Sequence, residues 1–285
     1  MASDGFKPMF KPASKPRSHI NQLYILFFSL SDLFKLRTRM LFGALLQLLL
    51  CAALPMRWAV VPPCVMLIHS IALTVIQTLS DDKNTFMHGV VPGRTTAQVP
   101  SPVDGSFGSW PGAQPVVVFN LGVQYNHPLG MLAPEVKQMG EYFEAMRADL
   151  HERRHDLGLL DMSFWRGADR DSNSTMLMTM FFRDLEGLHR FAHEPIHREA
   201  WDWWHAKARN PKHIGIFHET FCVPAGAYET LYVNCRPVLM GRGQVRTGEE
   251  GKDQVWRSTL VGADNVLLKT QYSRMDRDEN GVPKG

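Results

Sequence analysis

"HIGIFHETFCV", residues 213–223, reads as the closing strand of a sheet, and the architecture follows from that reading. The residues alternate. Ile214, Ile216, His218, Thr220 and Cys222 fall on one side of an extended chain, and His213, Gly215, Phe217, Glu219 and Phe221 on the other. The run ends where Pro224 and Gly226 break it, so the segment is a strand. His218 and Glu219 must then point to opposite sides of the sheet.

Upstream, "VVVFNLGVQYN" (116–126) alternates in the same way. Val117, Phe119, Leu121, Val123 and Tyr125 make a greasy face; Val118, Asn120, Gly122, Gln124 and Asn126 make a mixed one. The spacing predicts a helix over 134–154, where Val136, Met139, Phe143, Met146 and Leu150 recur at helical intervals behind Pro134. Strands follow at 158–167 and 174–183, joined by the turn-like "ADRDSN". A second helical region covers 184–208, with Pro195 dividing it. The order is β-α-β-β-α-β, an α+β ferredoxin-like arrangement with both helices on one face of a single sheet. The opposite face needs a cover, and a second copy of the chain, a homodimer, is the economical one.

The flanks differ in kind. From Leu41 to Leu79 the only charged residue is Arg57. The run from Trp58 to Leu79 has the length of a membrane crossing, and that from Leu41 to Leu54 is shorter. Pro55, Pro62 and Pro63 interrupt the stretch, and Lys35, Arg37 and Arg39 precede it, which places the N-terminus in the cytosol. We therefore expect a basic, amphipathic segment over 1–39, a membrane-associated helical segment over 40–80, and over 81–115 a Pro/Gly/Ser/Thr-rich linker or arm laid over a surface. The ferredoxin-like domain follows over 116–241, and a loose polar tail over 242–285 with one short strand. The expected location is an intracellular membrane, the endoplasmic reticulum, with the catalytic domain cytosolic. A net charge of +3 is too small to imply a nucleic-acid partner, and no Lys/Arg stripe interleaved with aromatics appears, so none is expected. Cys51, Cys64, Cys222 and Cys235 lack CxxC spacing, which argues against a disulfide framework or structural zinc.

Candidate chemistry gathers on the strands. His218 suits a general base or the axial ligand of a haem; the alternative is a histidine satisfied by a nearby carbonyl. Asn120, Gln124 and Asn126 interrupt an aliphatic strand with donors suited to a developing oxyanion. Asp161, Ser163 and Trp165 repeat that pattern more weakly. Met176, Met178 and Met180 line a strand face, either as pocket or as core. His197, Trp201 and His205 recur at i, i+4 and i+8, with Trp204 beside them. "HEPIH" at 193–197 matches a zinc-protease expression, but Pro195 inside it favours a helix start over an unbroken helix. No glycine-rich phosphate loop or nucleophile elbow is present, so nucleotide and serine-hydrolase chemistry lack support.

The strand running into "RDLEGLHRFAHEPIHREAWDWWHA", followed by "HIGIFHETFCVPAGAYETLYVNCRP", resembles the dimeric α/β-barrel superfamily. Within it the chain is similar to the DUF4188 monooxygenase-like group of fungal secondary-metabolite pathways, over residues 110–241. That resemblance implies a membrane-associated monooxygenase tailoring a hydrophobic polyketide or terpenoid intermediate, with molecular oxygen as co-substrate and no cofactor required. His218, Glu219 and Asn120 would be catalytic; Gln124, Asn126, Trp165, Met178, Trp201 and Trp204 would line the substrate. The superfamily also contains haem proteins, so the alternative is a haem-dependent dehydratase or oxygenase with His218 as ligand and His197 or His205 in reserve. A non-catalytic lipophile-binding protein is the third reading.

Overall fold

The computed structural model describes residues 5–17, 36–167, 175–206, 211–248 and 254–284. Along the chain come α1 (Leu36–Ala53), α2 (Met56–Ala59), α3 (Val61–Leu79), β1 (Val91–Ala97), β2 (Val116–Tyr125), α4 (Val136–Glu152), β3 (Leu159–Arg166) and β4 (Met176–Phe182). They are followed by α5 (Leu185–His193), α6 (Pro195–Ala206), β5 (Ile214–Val223), β6 (Tyr232–Cys235), β7 (Gln244–Thr247), β8 (Val255–Ser258), β9 (Leu260–Gly262) and α7 (Gln271–Arg274). The predicted turn at 168–173 and Lys35 lie outside the described residues. Two compact units result, one formed by Met1–Asn21 with Val91–Gly285 and the other by Gln22–Val90.

The main sheet has the order β3-β4-β2-β5, antiparallel throughout. That is the strand order of the split β-α-β arrangement. Both helical elements cover the face carrying Val117, Phe119 and Leu121. There Leu150 of α4 and Leu188 and Phe191 of α5 pack with Met178, Met180 and Phe182. Helix α5 starts where the Asp184 carboxylate accepts a hydrogen bond from the Gly187 N–H at 2.8 Å. The helical region is divided as expected, with α6 opening at Pro195.

Gly187 is fixed by close packing. A Cβ there would lie 2.0 Å from the Leu157 carbonyl oxygen, a backbone atom that cannot swing away. Alanine would gain about 1 kcal/mol of helix propensity, but forcing α5 off the β3 entry costs roughly 1–3 kcal/mol. We expect Gly187→Ala to be net destabilising; a raised thermal midpoint would contradict this contact.

The flanking segments correct two expectations. The stretch read as a linker contains β1, which pairs with both β6 and β9 in a second, three-stranded sheet. The stretch read as a loose tail supplies β7, β8 and β9, and Leu260, Val261, Ala263 and Leu268 are buried. Apolar packing is joined there by polar contacts between distant residues, which local alternation does not show. Buried Thr96 shares a 3.0 Å hydrogen bond with Thr230, whose hydroxyl also accepts from the Ala97 N–H at 2.7 Å. Gln98 accepts from the Gly112 N–H at 2.7 Å. The same segments also cover part of the other sheet face. Val116, Leu160 and Phe181 pack there against Ala97, Val99, Met240 and Val245 of the same chain.

The N-terminal segment belongs to this unit as well. Residues 5–17 run along β8 and β9, with Pro8 bridged to Val261 and Ala13 to Trp256. Separately, α1 and α3 are long and apolar enough to cross a membrane, judged by length and composition, and none of their residues is buried.

Candidate active site

Strand register assembles the site. On the face away from the helices, β2 pairs Asn120 with Thr179 of β4 on one side and with Glu219 of β5 on the other, while Thr179 pairs with Ser163 of β3. One polar row, Ser163–Thr179–Asn120–Glu219, therefore crosses all four strands. Apolar rows flank it. On one side stand Phe181, Val118 and Phe221; on the other Trp165, Leu177 and Gly122 with Phe217. Gly122 is what lets the Phe217 ring lie across β2, since a Cβ at 122 would meet that ring at 2.0 Å.

The row is partly wired already. The Thr179 hydroxyl donates to Asn120 Oδ1 at 3.0 Å, so Asn120 keeps its Nδ2 hydrogens for another acceptor. Two rows on, Gln124 Nε2 donates to the Thr175 hydroxyl at 3.1 Å. At the Ser163 end, the Ser163 hydroxyl donates to Asp161 at 2.8 Å, and Arg242 pairs with Asp161 at 3.3 Å. Burial pushes the Asp161 carboxyl up; Arg242, Ser163 and Arg154 oppose it. The row runs from buried Ser163 to exposed Glu219, and Phe221 beside Glu219 is 50% exposed. Tyr228 and Tyr232, which pack on this face against the Met240 cluster, have phenols pushed up to about 12 by burial, so they stay protonated.

His218 is elsewhere. It pairs with Leu121, on the helix side of the sheet, with its ring 5.7 Å from that of Phe119. It is exposed on an edge strand. An edge strand has no neighbour to shield it, and His218 lies near the unpaired side. Met178 is also corrected: at 3% exposure it belongs to the helix-side core. Trp204 packs with Tyr125, Val136 and Ile214, also on the helix side, and Trp201 is exposed against His205, their rings 4.3 Å apart. Neither belongs to the Asn120 rows. Asn126 is exposed beyond the end of β2, and Trp165 is 44% exposed on the Asn120 face.

His193 ends α5, His197 lies in the first turn of α6, and Glu194 between them has left the helix to pair with Arg153 at 2.8 Å. The literal zinc motif therefore lacks its helix, and no group of three metal-ligating side chains occurs among the described residues. An open surface hollow lies against Glu135 and Glu141, and a small one of about 10 Å³ lies beside Arg154 and Trp256.

His197 is held below its ordinary value, first by burial and then by the charges of His193 and His218; burial lowers His151 likewise. A histidine whose folded value is depressed contributes stability that is present above the unfolded value, about 6.5, and is lost as pH falls. We expect the thermal midpoint to fall between pH 7.5 and 5.5, and less steeply in His197→Gln. Equal slopes would show that His197 is not the titrating group.

Thr179 was not singled out in the sequence. Its signal is slight, a single hydroxyl among the Leu177, Thr179 and Phe181 side of β4, and it acquires meaning only once Asn120 is known to stand opposite.

The family profile and the curated relative agree on a monooxygenase. The sequence profile of the monooxygenase af470-like family matches residues 116–240. The Monooxygenase af470 of Aspergillus fumigatus is 46% identical over 275 residues, covering 96% of this chain and 98% of that one. Among solved structures, an aldoxime dehydratase in complex with butyraldoxime matches with a TM-score of 0.40 at 15% identity, over 52% of this chain and 39% of its own. SnoaB, a cofactor-independent oxygenase from Streptomyces nogalater, matches with a TM-score of 0.27 at 15% identity, over 39% of this chain and 95% of its own. The full-length match to the Aspergillus relative carries the assignment: the chain belongs to the monooxygenase af470-like family and is a monooxygenase.

Proposed function

We propose that the protein is a membrane-associated monooxygenase that oxygenates a hydrophobic polyketide or terpenoid intermediate of fungal secondary metabolism, using molecular oxygen without a cofactor. The observation that carries this reading is the Asn120–Glu219 pair, an amide with free donors beside a carboxylate, set between two apolar rows on one sheet face. The Glu219 carboxylate removes a proton from an acidic C–H of the substrate. Asn120 Nδ2 donates to the oxyanion of the resulting enolate, which stabilises charge where it develops. The carbanion reduces oxygen to a hydroperoxide, and loss of water leaves a carbonyl. One oxygen atom stays in the product and the other leaves as water. Trp165, Phe217 and Phe221 offer flat apolar contacts for such a substrate. Exposed as they are, they suit burial against a second copy, so the working unit is a homodimer. The domain faces the cytosol from the endoplasmic reticulum.

The test is a strain lacking the gene, complemented with variants under ¹⁸O₂. Wild type restores a product carrying one labelled atom, whereas Glu219→Gln leaves the precursor. If Glu219→Gln restores product and His218→Ala does not, the site lies on the helix side. Purified protein should turn over without a Soret band; a stoichiometric Soret band that tracks activity would establish the haem reading instead.

A further inference from the structure

We infer that α1 and α3 form a two-pass hairpin in the bilayer, with both ends of the hairpin and the whole folded domain on the cytosolic side. This rests on the membrane part of the reading above and settles the number of crossings, which the apolar runs leave open.

The argument is closure of the chain. Residues 5–17 are stitched to the C-terminal strands. Met9 N–H donates to the Leu260 carbonyl at 3.0 Å, Gly262 N–H to Lys7 at 2.9 Å, and Ala13 and Trp256 exchange bonds of 3.1 and 2.7 Å. Gln244 clasps the backbone of Arg17 through its side-chain oxygen at 2.7 Å and its nitrogen at 3.0 Å. At the other end, Val91 opens β1, paired with β6 and β9 of the same unit. The chain thus leaves this unit after Arg17 and is back in it at Val91. A domain that includes both points stands on one side of a membrane, so the crossings between them are even in number, whatever path residues 18–35 take.

The apolar helices supply two. At 1.5 Å per residue, the 18 residues of α1 and the 19 of α3 each reach roughly 27–29 Å, against a hydrocarbon core of about 30 Å. Arg37 and Arg39 in the first turn of α1 can snorkel to the near headgroups. Between the helices, Arg57 and exposed Trp58 suit the far interface. The break at that end is also satisfied without water. Pro63 has no N–H to offer the Ala59 carbonyl four residues back, and Gln47 Nε2 of α1 donates to it at 3.1 Å. Hydrocarbon tolerates a broken helix only where such groups find partners. Orientation follows from the basic residues: Lys35, Arg37, Arg39 and Lys83 flank the hairpin's ends, and Arg57 alone marks its tip.

The experiment places a glycosylation acceptor at the N-terminus, at the C-terminus, or in an insert between Leu54 and Pro55, in the full chain made with endoplasmic-reticulum microsomes. High-pH carbonate extraction is run in parallel. The expected result is protein retained in the membrane, both termini unmodified and the tip insert glycosylated. Release by carbonate would sink the membrane reading itself. Retention with one terminus modified would show an odd number of crossings, and retention with an unmodified tip would show a shallow loop. Either overturns the hairpin while leaving membrane association intact.

Discussion

Asn120→Ala should lower kcat/KM by about 10²–10³-fold, the loss seen when one oxyanion donor is removed, or roughly 3–4 kcal/mol of transition-state stabilisation. Two effects contribute in the alanine variant. The Nδ2 donor disappears, and Thr179 loses the acceptor it reaches at 3.0 Å. Asn120→Asp separates them. An aspartate still accepts from Thr179 but has no N–H to offer, and it adds a second carboxylate beside Glu219. If donation is the role, the aspartate variant is as inactive as the alanine one. Thr179→Ala, which frees the amide to rotate without deleting it, should lose less. Turnover of Asn120→Asp within threefold of wild type would remove the amide from the chemistry and return attention to the helix side, where His218 and His197 stand.

Asp161→Ala should cost roughly 3–5 kcal/mol, the penalty for removing one partner of a buried ion pair. Asp161 is 6% exposed and is the carboxylate that faces both Arg242 at 3.3 Å and the buried Arg154. Without it two guanidiniums stay in a low-dielectric pocket, and burial already lowers Arg154. The loss should be local as well as global. Arg242 lies just before β7, and Arg154 sits 5.2 Å over the Trp256 ring of β8, so the segment from Leu239 onward is held to the main sheet through this cluster. Urea titration of the full chain in detergent, followed by tryptophan fluorescence, should show the lowered midpoint, and limited proteolysis should release C-terminal fragments. Replacing Asp161 and Arg242 together by apolar residues of similar size should recover much of the loss, because the pair costs desolvation that an apolar contact does not. A single Asp161→Ala variant within 1 kcal/mol of wild type would show that the cluster is not what holds this segment.

The amino-acid sequence by itself determined the local elements of the central unit. Period-two alternation placed β2 and β5, the turn-like join between two apolar runs placed β3 and β4, helical spacing placed α4, and Pro195 marked the join between α5 and α6. These patterns are legible because each element buries one face, and burial writes its period into neighbouring residues. The same logic put His218 and Glu219 on opposite sides. Only the tertiary structure decided which side held what. Cross-strand register set Asn120 between Thr179 and Glu219, left His218 on the helix side and sent Met178 into the core. It also drew residues 91–99 and 239–268 into the domain, where composition suggested a linker and a tail. Their anchors are Thr96 to Thr230 and Asp161 to Arg242, polar contacts between residues 134 and 81 positions apart. A local window carries no trace of a partner that distant.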